Sequence, residues 1–129
     1  MVDNGYSRVK FKVGVEGGTN LRGDLRRVER IRSAMGPEIG IMLDANNCWD
    51  AATGIQFVNR VRDLDIMWLE EPVPADDIPG LARFSRSTDI PLVTGEHEYL
   101  KFGVRDLLLA EAADIVQVDG ARGGGATRR

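Results

Sequence analysis

A single cysteine and a single histidine are the scarcest reactive residues in this chain of 129. Cys48 has no partner for an internal disulfide, and neither His97 nor a second cysteine stands near it at the spacing of a zinc site. Disulfide scaffolds and Cys/His metal centres are therefore excluded, and Cys48 reads as a small buried or half-buried residue. An excess of positive charge is also missing: 17 Lys and Arg against 20 Asp and Glu leave a formal net charge of −3. No basic face is available for nucleic acid and no cationic patch for a membrane, so a small-molecule partner is expected. No apolar run approaches the roughly 18 residues needed to span a bilayer. Met1 to Gly5 lack the basic and apolar regions of a signal peptide, and the expected location is cytoplasmic. A glycine-rich phosphate loop is absent too, because Val13-Gly14-Val15-Glu16-Gly17-Gly18 matches neither a dinucleotide fingerprint nor a P-loop.

What remains is 43% hydrophobic, enough for the core of one domain. Val9 to Gly14 reads as a strand whose period of two sets Lys10 and Lys12 on one face. Leu21, Leu25, Val28, Ile31 and Met35 recur at helical spacing until Gly36-Pro37 stops them. Ile39 to Asp44 is a second strand. Asp50 then caps a helix bearing Ile55, Val58 and Val61. Ile66 to Glu70 is a third strand, and Asp76 or Asp77 opens a short helix with Leu81 and Phe84, with Pro79 in its first turn. Pro91 to Glu96 is a fourth strand, Phe102 to Ala112 a helix with Leu107 and Leu108 facing inward, and Ile115 to Asp119 a fifth strand. Trp49 and Trp68 are expected in the core. The Gly-rich, basic tail from Gly120 to Arg129 carries no apolar pattern.

The alternation spells an α/β fold of about five parallel strands and four helices, a partial (β/α) barrel whose chemistry sits at the C-terminal ends of its strands. Three apolar runs end there in a carboxylate. Asp44, Glu70 and Glu96 are separated by equal intervals of 26 residues, one strand-plus-helix unit each. Three converging carboxylates are costly without positive charge, and their oxygens suit a hard divalent cation, Mg²⁺ before Mn²⁺ or Ca²⁺. Lys12, nearer the strand's end, reads as a base, with Lys10 lowering its pKa by repulsion. A base facing a divalent cation suits removal of the proton alpha to a carboxylate. Asn46 and His97 are candidates for substrate contact. Glu71 is expected to brace the metal site or bond to backbone, and Arg122 either meets a substrate carboxylate or lies in solvent.

Together, Lys10-Phe11-Lys12, Asp44-Ala45-Asn46, Trp68-Leu69-Glu70-Glu71-Pro72, Gly95-Glu96-His97, and Val118-Asp119 followed by Gly123-Gly124 resemble the enolase superfamily in its mandelate racemase and acid-sugar dehydratase branch. The resemblance implies Mg²⁺ on Asp44, Glu70 and Glu96, Lys12 as base, and dehydration or racemisation of a hydroxy or sugar acid. It also implies that Asp119 orients a histidine at the end of the next strand, and this sequence has no such histidine. A full barrel needs about 250 residues, and the family adds a capping domain. Residues 1–129 correspond to the second through sixth strands of such a barrel. An alternative follows: a barrel remnant that is inactive alone and self-associates through open sheet edges, giving a homo-oligomer.

Overall fold

The computed structural model describes residues 5–122. Five strands, β1 (Arg8–Lys12), β2 (Gly40–Asp44), β3 (Ile66–Glu70), β4 (Leu92–Thr94) and β5 (Ile115–Val116), alternate with four helices. These are α1 (Leu21–Met35), α2 (Ala51–Val61), α3 (Ile78–Ser85) and α4 (Lys101–Leu109). All neighbouring strands are parallel and the sheet order equals the chain order. With right-handed crossovers, that order lays every helix on the same face and curves the sheet into an arc of a barrel. Among the described residues, no helix is long and apolar enough to cross a membrane.

Local chemistry sets the helix boundaries. Asn20 caps α1 through the Gly23 N–H, Asp50 caps α2 through the Thr53 N–H, and Asp77, rather than Asp76, caps α3 through the Gly80 N–H. Pro79 falls within the first turn of α3, where its missing N–H costs nothing. At the far end of α1, Arg32 donates to the carbonyls of Gly36, Ile39, Leu64 and Asp65, tying two loops to one guanidinium. The core lies between sheet and helices. Ile41, Leu43, Leu69 and Leu92 meet Val28, Phe57, Val58, Leu81 and Phe84, all fully buried. Each such side chain contributes about 1.5–3 kcal/mol. Trp49 stacks on Phe57 at 4.7 Å within this core, whereas Trp68 is only half-buried.

Three expectations need correction. The fourth strand stops at Thr94, because Gly95 turns the chain with φ +118° where a side chain would press on the Gln117 carbonyl. Glu96 therefore stands on a loop. The fifth strand spans only two residues, so Asp119 lies beyond its end. In α4, Leu107 is buried, but Leu108 is 55% exposed. The tail from residue 123 onward, with the Gly123-Gly124 pair, lies outside the described residues.

Candidate active site

The parallel register aligns Lys12 with Asp44 and Asp44 with Glu70 at the C-terminal ends of β1, β2 and β3. Asp44 and Glu70 are each only 3% exposed. Carboxylates buried to that degree require positive partners, and β1 supplies them. Lys12 Nζ donates to Asp44 Oδ2 at 2.6 Å, and Lys10 Nζ donates to Glu70 Oε2 at 2.6 Å and lies 3.5 Å from Asp44 Oδ2. Burial pulls the Lys10 pKa down, but the hydrogen bond and charge of Glu70, with Asp44 behind it, raise it above the usual lysine value. Lys10, read from the sequence as the neighbour that lowers the Lys12 pKa, is itself paired with the carboxylates of Glu70 and Asp44.

Asp44 is also held from its own loop. Asn46 has a left-handed backbone, φ +47°, and its N–H donates to Asp44 Oδ1 at 3.1 Å. Behind β1, buried Asp24 accepts from the Gly14 N–H and from Arg27, whose guanidinium also donates to the Lys12 carbonyl. Burial raises the Asp24 pKa despite these donors. Helix α1 thereby grips the backbone on both sides of the strand end that carries Lys12.

Glu96 stands beside Glu71 and His97. Among the described residues, the three ligand-type side chains with donor atoms within 4.8 Å of one another are Glu71, Glu96 and His97. Asp44 and Glu70 sit together; Glu96 faces His97. Glu71 is fully buried with φ +45°; its Oε1 lies 2.7 Å from His97 Nδ1, and its Oε2 accepts from Asn47 Nδ2 at 3.0 Å. Burial pushes the Glu71 pKa up, opposed by the His97 bond. Asp119 accepts from the N–H groups of Ala121 and Arg122 and pairs with the Arg122 side chain, which reaches the Glu96 carbonyl at 3.3 Å. Arg122 thus links the loops that follow β4 and β5. Asn47 was not singled out by its sequence context; the only hint was its place one residue beyond the Asp44-Ala45-Asn46 run.

Asp44 and Glu70 bring buried carboxylate oxygens, the ligand type that hard divalent cations take, to one end of the sheet. Comparison with known proteins bears on this directly. The family profile described as "Enolase C-terminal domain-like" matches residues 1–129. The chain belongs to the enolase C-terminal domain-like family. L-talarate/galactarate dehydratase of Salmonella typhimurium is 37% identical over 95% of this chain and 30% of its own length. Its crystal structure superposes with a TM-score of 0.90, covering 98% of this chain and 31% of that one at 36% identity. N-succinyl-L-Arg/Lys racemase of Bacillus cereus is 35% identical over 97% of this chain and 33% of its own. A Bradyrhizobium enolase complexed with magnesium and mandelic acid gives a TM-score of 0.88 at 31% identity, covering 95% of this chain and 33% of that one. Relatives of this enolase-like chain are thus acid-sugar dehydratases and racemases, and magnesium is bound in structures of the family. The chain spans about a third of the length of the relatives it matches.

Proposed function

We propose that this chain carries the metal-and-base part of a Mg²⁺-dependent enzyme that removes the proton alpha to the carboxylate of a hydroxy or sugar acid, leading to dehydration or racemisation. One observation carries the reading: the two lysines of β1 meet the aligned carboxylates Asp44 and Glu70 at 2.6 Å, at the end of the sheet where a (β/α) barrel does its chemistry. Asp44, Glu70 and Glu96 would hold the cation through their carboxylate oxygens. Bound there, Mg²⁺ supplies positive charge that acidifies the alpha proton. Lys12 would act as the neutral amine, after giving its own proton to solvent, and take the alpha proton to become an ammonium, while Lys10 stays charged beside Glu70. Asn46 and His97 face the substrate. Asp119 holds Arg122 against the Glu96 loop, a role that needs no histidine beyond it.

Calorimetric Mg²⁺ binding, together with solvent-deuterium exchange into the alpha position of hydroxy acids, tests the reading. Lys12→Ala is expected to abolish exchange while leaving Mg²⁺ affinity within about twofold; exchange that survives overturns the assignment of the base. A second reading draws on the exposed apolar side chains of α4 and the β5 edge, among them Phe102, Leu108, Leu109, Ile115 and Val118. It takes the chain as a barrel remnant without activity of its own that pairs with a second copy. Sedimentation at micromolar concentration separates the two, since a monomer that exchanges the alpha proton rules out the remnant.

A further inference from the structure

We propose that Asp24 and Arg27 of α1 are positioning residues for Lys12: they hold the peptide groups on the open side of the strand end and so aim the amine at the alpha proton. The inference rests on the metal-and-base reading and adds two residues to it. β1 is an edge strand of the sheet, with β2 on one side only. The Val13 N–H goes to that side, where it donates to the Asp44 carbonyl at 2.9 Å. Peptide groups alternate along a strand, so the Lys12 carbonyl and the Gly14 N–H point to the other side, where no strand among the described residues meets them. α1 meets them instead. Arg27 donates through Nη2 to the Lys12 carbonyl at 2.6 Å, and Asp24 Oδ2 accepts from the Gly14 N–H at 3.0 Å. One residue of a further parallel strand would take the same two groups, and the ion pair stands where that residue would.

Two features show that the pair serves this contact rather than its own stability. Asp24 is fully buried, a costly place for a carboxylate that only helped α1 to form. An arginine grips a carboxylate best with two parallel N–H groups. Arg27 instead shares Nη2 between the Lys12 carbonyl and Asp24 Oδ1, at 2.8 Å, and leaves its buried Nε without a partner among the described residues. The guanidinium forgoes a two-point grip to reach Lys12. That anchor matters because of what the side chain loses in the reaction. The Lys12 side chain is 57% exposed, and its one partner among the described residues is Asp44 Oδ2. Once Asp44 is a cation ligand and Lys12 a neutral amine, their ion pair no longer aims the long side chain, and the backbone decides where it starts. A misplacement of about 1 Å at the reacting atom costs on the order of a hundredfold in rate.

Arg27→Met keeps the stem and removes the donors. With MgCl₂ and mandelate, D-gluconate or galactarate as probe, its maximal rate of solvent-deuterium exchange at the alpha position is expected to fall by about tenfold or more, with KM and Mg²⁺ affinity within about twofold of wild type. Arg27→Lys, whose ammonium carries donors for both oxygens, is expected to recover about threefold of that loss or more. Asn20→Ala removes the cap of the same helix without touching Lys12, so it separates positioning from stability and is expected to leave the maximal rate within about twofold. The Lys12 carbonyl ¹³C resonance reads the bond with no substrate present. It is expected to move upfield in Arg27→Met and to stay in Asn20→Ala. If Arg27→Met fails to fold, Asp24→Asn keeps the shape of the pair and is expected to lower the maximal rate by about threefold through a looser Arg27. An unmoved carbonyl resonance, exchange as fast in the variant as in wild type, or an equal loss in Asn20→Ala overturns the positioning role and leaves the metal-and-base reading standing. A wild-type chain that exchanges none of the three acids overturns both.

Discussion

Lys10 Nζ lies 2.6 Å from Glu70 Oε2 and 3.5 Å from Asp44 Oδ2, so one ammonium group spans the ends of two neighbouring strands. The two carboxylates are almost inaccessible while the lysine is 40% exposed at its side chain. Removing the lysine leaves the carboxylates with less positive charge but still buried. Lys10→Ala is therefore expected to lower unfolding stability by about 1 kcal/mol, the small end of the range for a stranded buried charge because Lys12 and solvent remain. On the proposed reading Mg²⁺ binds the folded form at these carboxylates, so millimolar Mg²⁺ is expected to raise the melting temperature of the variant more than that of the wild type. Equal Mg²⁺ shifts in both proteins would place the cation away from these oxygens.

Glu71 gives a pH dependence of definite sign. Burial raises its folded pKa above the ordinary 4.5, so between that value and the folded pKa the native state binds the extra proton. Stability from this group is fully present below pH 4.5 and is lost as pH rises through the folded pKa. Glu71→Gln cannot ionise and lacks this slope. Urea unfolding at pH 4, 5.5 and 7 is expected to show the wild type losing ground to the variant between pH 4 and pH 7. A constant difference across the three would mean that Glu71 ionises as freely in the fold as in the unfolded chain.

How the sequence anticipated some of this and missed the rest follows from the range of each interaction. Periodicity placed all four helices, because apolar spacing and caps such as Asp50 are local properties of the chain. The alternation of Lys10 and Lys12 and the carboxylates ending β2 and β3 were legible for the same reason, since strand ends in a parallel sheet line up by register. Glu96 obeys the same 26-residue interval but not the same geometry. The positive φ of Gly95 ends β4 early, and His97 meets buried Glu71 at the end of the neighbouring strand, with a Glu96 oxygen within 4.8 Å of both. Nothing in the one-dimensional spacing reports that Glu71 is wholly buried. Leu108 was misplaced because a helix packed on one side only leaves apolar residues outside, and periodicity alone cannot show which neighbours a helix lacks.

Cys48 sits half-buried beneath the turn after β1, where burial, with Asp24 and Asp44 nearby, pushes its thiol from 9.0 to about 11. Only the thiolate reacts with disulfide reagents. Two pKa units then correspond to roughly a hundredfold smaller thiolate fraction at pH 8. Ellman's reagent is expected to label the native chain about a hundredfold more slowly than the chain in 8 M urea. Comparable rates would show the thiol open to solvent.

The same cysteine limits what Gly14 can become. Gly14 has φ +73°, and a methyl group on it would run into Cys48 Sγ while lying 3.2 Å from the Ala45 carbonyl. Its N–H is also the anchor that Asp24 holds, two residues beyond Lys12. Gly14→Ala carries two separable costs: about 1 kcal/mol for a side chain in the left-handed region, and about 1–3 kcal/mol for overpacking against the sulfur. Only the second depends on Cys48. Cys48→Ala removes the sulfur and is expected to recover at least 1 kcal/mol of the Gly14→Ala loss, so the two substitutions fail to add. Urea unfolding of both single variants and the double variant measures that coupling. A Gly14→Ala cost that is the same with and without the sulfur would locate the whole penalty in the backbone, and would mean that the turn behind Lys12 is held by its dihedral angles and the Asp24 bond alone.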